Sequence, residues 1–226
     1  MIAVFLGGVL TGMAMLHTLN SRAKSLTRST DRDILYDTDL SFYYGDKKML
    51  TNTEEHNMHL PDEFYKKYVH SCIVNTVDCV IVRVNTITNQ KEFILVERKD
   101  QPAKGMFWFP GGRMFKGETF FAAALRKCRD ETGINGRAAQ VLGVYNTHFN
   151  SSAWDEPHIK GTQTVNVVVL IEVADGSEIQ LDDTSSRFRW ASVDPEKNEH
   201  EDQYIVAVLK RMHAWKRTFG GEDVVF

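Results

Sequence analysis

The 226-residue sequence contains three cysteines, Cys72, Cys79 and Cys128, and no C-x-x-C pair. That argues against a structural zinc site and against a disulfide framework. Cys72 and Cys79 share one apolar run and Cys128 sits in a helical pattern, so all three read as free, buried thiols. A basic excess is also missing. The net charge is −3 and the pI near 6.2, and no nucleic-acid partner is expected. Only one apolar run is long enough to approach a membrane span, which excludes a polytopic membrane protein. With 42% hydrophobic and 25% charged residues, neither a disordered chain nor a collagen fits.

The single long apolar stretch opens the chain. Ile2 to Leu16 carry no charge, and Arg22, Lys24 and Arg28 follow. A spanning helix needs about 20 apolar residues, with a lower limit near 17, so residues 1–20 lie at the threshold. A secretory signal places its basic residues before the apolar run, whereas here they come after it. The positive-inside rule then puts the remainder in the cytosol. The expectation is membrane association through residues 2–19 with the domain in the cytosol. An organelle-targeting segment and a plain cytoplasmic protein are the alternatives. Gly8 and Gly12 form a G-x-x-x-G that could pack a helix pair, and a homodimer is among the expectations. Residues 21–60 are polar without a clean period and read as a linker.

From Pro61 the pattern sharpens. A short helix over 61–70 carries acids in its first turn. Cys72 to Val84 is apolar and β-branched, a strand, and Glu92 to Glu97 is a second. Trp108 to Gly112 leads into a Gly-rich turn. Glu118 to Thr132 is helical, with Gly133 as its stop. Strands follow over 139–147, 162–173 and 187–191, and a helix over 199–216 closes the pattern. The order β-β-α-β-β-β-α predicts the α+β class, a mixed β-sheet sandwiched between helices over 61–218, with 219–226 as a tail.

Chemistry concentrates at the central helix. At about 100° per residue, Phe121, Leu125, Cys128 and Thr132 form one apolar stripe, and Lys127, Asp130 and Glu131 form a polar face. Carboxylates beside a Gly-rich turn are hard oxygen donors suited to Mg²⁺ or Mn²⁺. A plain surface helix with a Lys127–Glu131 i,i+4 pair is the competing reading. The preceding Phe109-Pro110-Gly111-Gly112-Arg113 turn favours a site.

The series Gly112-x5-Glu118-x7-Arg126, continuing through Asp130, Glu131, Gly133 and Ile134, resembles the Nudix box. It departs at Lys127, where the box has Glu, and at Cys128. The resemblance implies the Nudix fold. It also implies a metal held by the Gly111 carbonyl and Glu131, with Asp130 and Glu118 as further ligands, and Arg126 bracing the helix. The flanks resemble the GDP-mannose mannosyl hydrolase branch, through Arg98-Lys99-Asp100-Gln101-Pro102-Ala103-Lys104-Gly105 and Pro110-Gly111-Gly112-Arg113. By that resemblance Arg98 and Arg113 hold a diphosphate, Asp78 contacts substrate and His148 approaches the sugar. Glu131, Asp130, Arg113 and His148 then form the catalytic set. Trp154 and Phe149, in the loop from 148 to 163, could stack on a base. Departures include Gln101 for a family Arg, and Thr184 and Ser185 where the branch has Gln and His, its general base.

The expectation is therefore an Mg²⁺-dependent (or Mn²⁺-dependent) hydrolase of a nucleoside diphosphate sugar, GDP-mannose first. The alternatives are attack at phosphorus on another nucleotide-linked diphosphate, or a non-catalytic Nudix-fold binding module.

Overall fold

A computed structural model describes residues 41–42, 44–51, 60–155 and 160–218. The apolar segment 1–20 and the tail 219–226 lie outside the described residues, and the anchor reading falls there with them. Among the described residues, no helix is long and apolar enough to cross a membrane.

The chain forms α1 (Lys47–Leu50), α2 (Asp62–Ser71), β1 (Val74–Asn85), β2 (Gln90–Arg98), β3 (Phe107–Trp108), β4 (Gly111–Arg113), α3 (Phe120–Thr132), β5 (Arg137–Phe149), β6 (Thr162–Glu172), β7 (Ser185–Ser192), a 3₁₀ turn (Pro195–Asn198) and α4 (Gln203–Thr218). The strands make one seven-stranded mixed sheet whose main path runs β3-β2-β1-β6-β5. β1 pairs antiparallel with β2 over Val82–Asn85 and with β4 over Thr76–Asp78. Along its other edge β1 runs parallel to β6, from Val74↔Thr164 to Val82↔Glu172. β7 pairs antiparallel with β2.

Alternation along β1 explains the layers. Successive side chains point to opposite faces. Val77, Cys79 and Ile81 pack with Ala123, Ala124 and Cys128 of α3. Val80 and Val82 pack with Tyr204, Ile205, Val208 and Leu209 of α4. The expected α+β sandwich is what forms, because this strand is apolar on both faces and each face needs a cover. Two short strands, β3 and β4, stand where a loop and turn were expected. The stretch read as a linker holds α1, capped by Asp46 accepting from Lys48 N at 2.9 Å. Leu50 closes on the loop before α3: a Cβ on Gly117 would meet its carbonyl oxygen at 3.2 Å. Of the thiols, Cys79 and Cys128 are buried as expected. Cys72 is exposed at the end of α2, since the apolar run containing it enters the sheet only at Val74.

Candidate functional site

α3 starts at Thr119, whose hydroxyl accepts from Ala122 N, and stops at Gly133 in the left-handed conformation. Its length places Glu131 in its last turn, one residue before the end, against β4. Glu131 is 6% exposed. Its Oε2 accepts from Gly111 N at 2.8 Å and its Oε1 from Lys127 Nζ at 2.9 Å. Burial pushes this carboxyl up, while the Lys127 ammonium and the Gly111 amide pull it back. Gly111 tolerates no side chain: a Cβ there would lie 2.3 Å from Val77 O and 2.6 Å from Asp78 Oδ1. Gly112 has φ +156°, and a Cβ on it would collide with Lys127 Cε at 2.9 Å.

Glu118 behaves as a brace. Arg126 donates to both its oxygens, at 2.5 and 2.9 Å, and Phe115 N donates at 2.7 Å. Arg126 also donates to Arg113 O at 3.1 Å. The pair therefore fixes the loop that carries Arg113. Asp130 is turned outward, its side chain 46% exposed and paired with Arg126 and Arg129. It stands about 100° around the helix from Glu131, so the polar face expected of the helix divides between a buried Glu131 and a solvated Asp130.

On the α4 face of the sheet lies a cavity of about 180 Å³. Asp78, Arg98, Arg113 and Trp154, expected to contact substrate, all line it. Asp78 is buried and its Oδ2 accepts from Tyr204 Oη at 2.6 Å. Burial drives its carboxyl up to about 6, opposed by the Tyr204 hydrogen bond and the Arg98 charge. Arg98 is held by its Nε donating to Pro102 O at 2.8 Å. The Arg113 guanidinium lies over Tyr65 at 5.1 Å and over Phe115 at 5.0 Å. Trp154 meets Tyr65 edge-on, centroids 5.0 Å apart. Its loop is folded around Asp155, which accepts from the amides of Ser152, Lys160 and Gly161.

His148 is not part of this cavity. Thr147 and Phe149 point to the cavity side of β5 and His148, between them, points to the opposite side, exposed. The strand extends to Phe149 rather than ending at Thr147, and its period of two decides the direction.

Two features escaped the sequence reading. Tyr65 and Val69 of α2 form a wall of the cavity. Thr76, Thr162, Thr164 and Asn166 also line it, all buried. Thr76 Oγ1 donates to Asn166 Oδ1 at 2.6 Å, and Asn166 Nδ2 donates to Thr147 Oγ1 at 3.3 Å. The alternation Thr162, Thr164, Asn166 in β6 was the available signal.

A family profile described as NUDIX domain matches residues 77–209. The chain belongs to the NUDIX family. Over 119 residues it is 32% identical to an ADP-ribose pyrophosphatase of Methanocaldococcus jannaschii, covering 53% of this chain and 60% of that protein. The match thus spans less than two thirds of that relative's length. Over 124 residues it is 27% identical to the low-salt glycan biosynthesis protein Agl8 of Haloferax volcanii, covering 55% and 69%. The fold matches a Caenorhabditis elegans Ap4A hydrolase structure with a TM-score of 0.51 at 17% identity, over 65% of this chain and 100% of that one.

Nudix hydrolases generally use a divalent metal ion. Among the described residues, no three His, Cys, Asp or Glu side chains converge on one point. Both Glu131 oxygens are engaged, Glu118 is held by Arg126, and Asp130 faces outward. Lys127 lies where the box has a carboxylate.

Proposed function

We propose that this chain is a hydrolase of a nucleoside diphosphate sugar, with GDP-mannose as the first candidate. One observation carries the reading. Two guanidiniums, Arg98 and Arg113, line the same cavity as a buried carboxylate, Asp78, and a row of hydroxyl and amide groups. Guanidinium forks match phosphate oxygens. Buried hydroxyls, an amide and a carboxylate suit the hydroxyls of a sugar or the edge of a base. At neutral pH Asp78 is mostly ionised and accepts hydrogen bonds from such donors. Tyr65 and Trp154 offer aromatic surface beside Arg113 for a base. An ADP-ribose pyrophosphatase and a glycan biosynthesis protein among the relatives support the substrate class, since ADP-ribose is itself a nucleoside diphosphate sugar.

The second reading is a binding module without turnover. It is favoured by the Lys127–Glu131 pair and by the residues where a base was sought. Thr184 is bound to Asp182 Oδ1 through its amide and hydroxyl, and Ser185 is buried in β7.

The test incubates the full chain with GDP-mannose or ADP-ribose, with Mg²⁺ or Mn²⁺ supplied and with an EDTA arm. Products are read by phosphorus NMR. GDP plus mannose, with the oxygen of labelled water found on the mannose rather than on GDP, means cleavage at sugar carbon. GMP plus mannose 1-phosphate, or AMP plus ribose 5-phosphate, means attack at phosphorus. Binding without product selects the module. Neither product nor binding overturns the proposal. Membrane attachment through residues 2–19 belongs to the same proposal, and fractionation of the chain with and without residues 1–20 checks it. Light scattering of the purified chain checks for a homodimer.

A further inference from the structure

Lys127 raises a question the proposed activity does not answer. It sits on the α3 face that should present carboxylates to a cation. Its ammonium is itself bonded to the buried carboxylate Glu131 at 2.9 Å. The two side chains differ in depth: Lys127 is 22% exposed and Glu131 7%. The carboxylate therefore lies behind and the ammonium in front, toward solvent. The Nζ atom also lies 3.0 Å from the position a Cβ on Gly112 would take. Gly112 is thus the residue that leaves room for the ammonium, next in sequence to Arg113. A divalent ion placed on Glu131 Oε1 would meet a cation already bonded there. On Oε2 it would displace the Gly111 amide.

We propose that Lys127 is the resident cation of this site. Its ammonium neutralises Glu131 and presents its remaining N–H donors to a diphosphate oxygen beside Gly112, so that a diphosphate binds with no divalent ion at Glu131. The inference rests on the proposed diphosphate substrate class. An ammonium has three donors, and Glu131 takes one. Lys127 does not itself line the cavity, but Gly112, against which its Nζ lies, does so together with Arg98 and Arg113. Lysine serves well in this role, as a compact point charge on phosphate oxygens.

The test uses inorganic pyrophosphate, which has neither base nor sugar, titrated calorimetrically into the full chain in EDTA. The chain is expected to bind pyrophosphate in EDTA. Lys127→Met should weaken it by about tenfold to a hundredfold, the loss of one charge-assisted hydrogen bond. Lys127→Arg, which keeps the charge, should retain binding and shows that the Met result is not misfolding. Free Mn²⁺ measured by electron paramagnetic resonance gives a second readout. Lys127→Glu should bind Mn²⁺ at least about tenfold more tightly than the unaltered chain, a change well above one RT. The proposal is overturned if pyrophosphate binds only with a divalent ion present. It is equally overturned if Lys127→Met binds pyrophosphate as well as the unaltered chain, or if Mn²⁺ affinity is unchanged by Lys127→Glu. Turnover of GDP-mannose or ADP-ribose without pyrophosphate binding in EDTA would refute the role of Lys127 and leave the proposed function standing.

Discussion

Replacing Arg126 by Met tests the brace under the site. The Arg126 and Glu118 side chains are 13% and 5% exposed, and two donors reach the carboxylate. Removing one partner of so buried a pair strands a charge, which costs about 3–5 kcal/mol. The lost bond to Arg113 O adds to the same side. For a domain of this size each kcal/mol moves Tm by about 2–4 °C, so Arg126→Met should lower Tm by about 6–20 °C in scanning calorimetry. Glu118→Gln keeps an oxygen for Phe115 N and removes the stranded charge. The double variant Glu118→Gln/Arg126→Met should therefore be more stable than Arg126→Met alone by about 1 kcal/mol or more, a non-additivity expected of contacting residues. A loss under about 1 kcal/mol for Arg126→Met, the value of an exposed pair, would refute the reasoning. So would a double variant no more stable than the single.

Asp78 predicts a pH dependence. Its carboxyl is raised from 3.8 to about 6, so its contribution to stability is complete below the unfolded value and is lost as pH rises through about 6. The loss is of order 3 kcal/mol; in thermal melts from pH 4 to 8, Asp78→Asn should remove that part of the decline, and an unchanged profile would contradict it. His148→Ala should leave kcat/KM within about twofold of the unaltered chain in the hydrolysis assay, because a surface change away from the site is worth only a few tenths of a kcal/mol. Tyr65→Ala should raise KM, or weaken nucleotide binding, by about tenfold through loss of one stacking surface, and should leave pyrophosphate binding unchanged in calorimetry.

Much of this fold was legible because its signals are local. The β-branched run through Val80 and Val82 announces a two-sided strand, and the Gly-Gly turn ahead of a capped helix announces a close backbone approach. Arg98, Asp78 and Arg113 were drawn to one place by a pattern of flanking residues rather than by periodicity, and Trp154 by its place in a long loop. The burial of Glu131 was not legible. An amphipathic wheel assigns a Glu beside a Lys to solvent, whereas here a long-range partner, Gly111 N, makes burial tolerable. His148 went astray by a boundary: two further strand residues, and the alternation they impose, turned it away. Tyr65 lacked any local signal, since nothing within a ten-residue amphipathic helix says which cleft it will wall. It also precedes the span matched by the family profile.

The parallel pairing of β1 with β6 has a kinetic consequence. Asp78, which lines the cavity, and Tyr204, its hydrogen-bond partner, stand 126 residues apart in sequence. β1 must wait for β6, some ninety positions later in the chain, before its second edge is paired. Contacts of such separation slow folding, because loop-closure entropy is lost before the contacts reward it. During synthesis, the hairpin of β1 and β2 emerges early with an apolar surface and an open edge. The cavity is lined through to Asn166, so it exists only after β6 has left the ribosome and paired with β1. Ligand binding is therefore a late reporter of folding: any molecule competent to bind has already closed β1 on β6. A ligand present during folding would act on the pairing of β6 with β1 and would not accelerate the early hairpin.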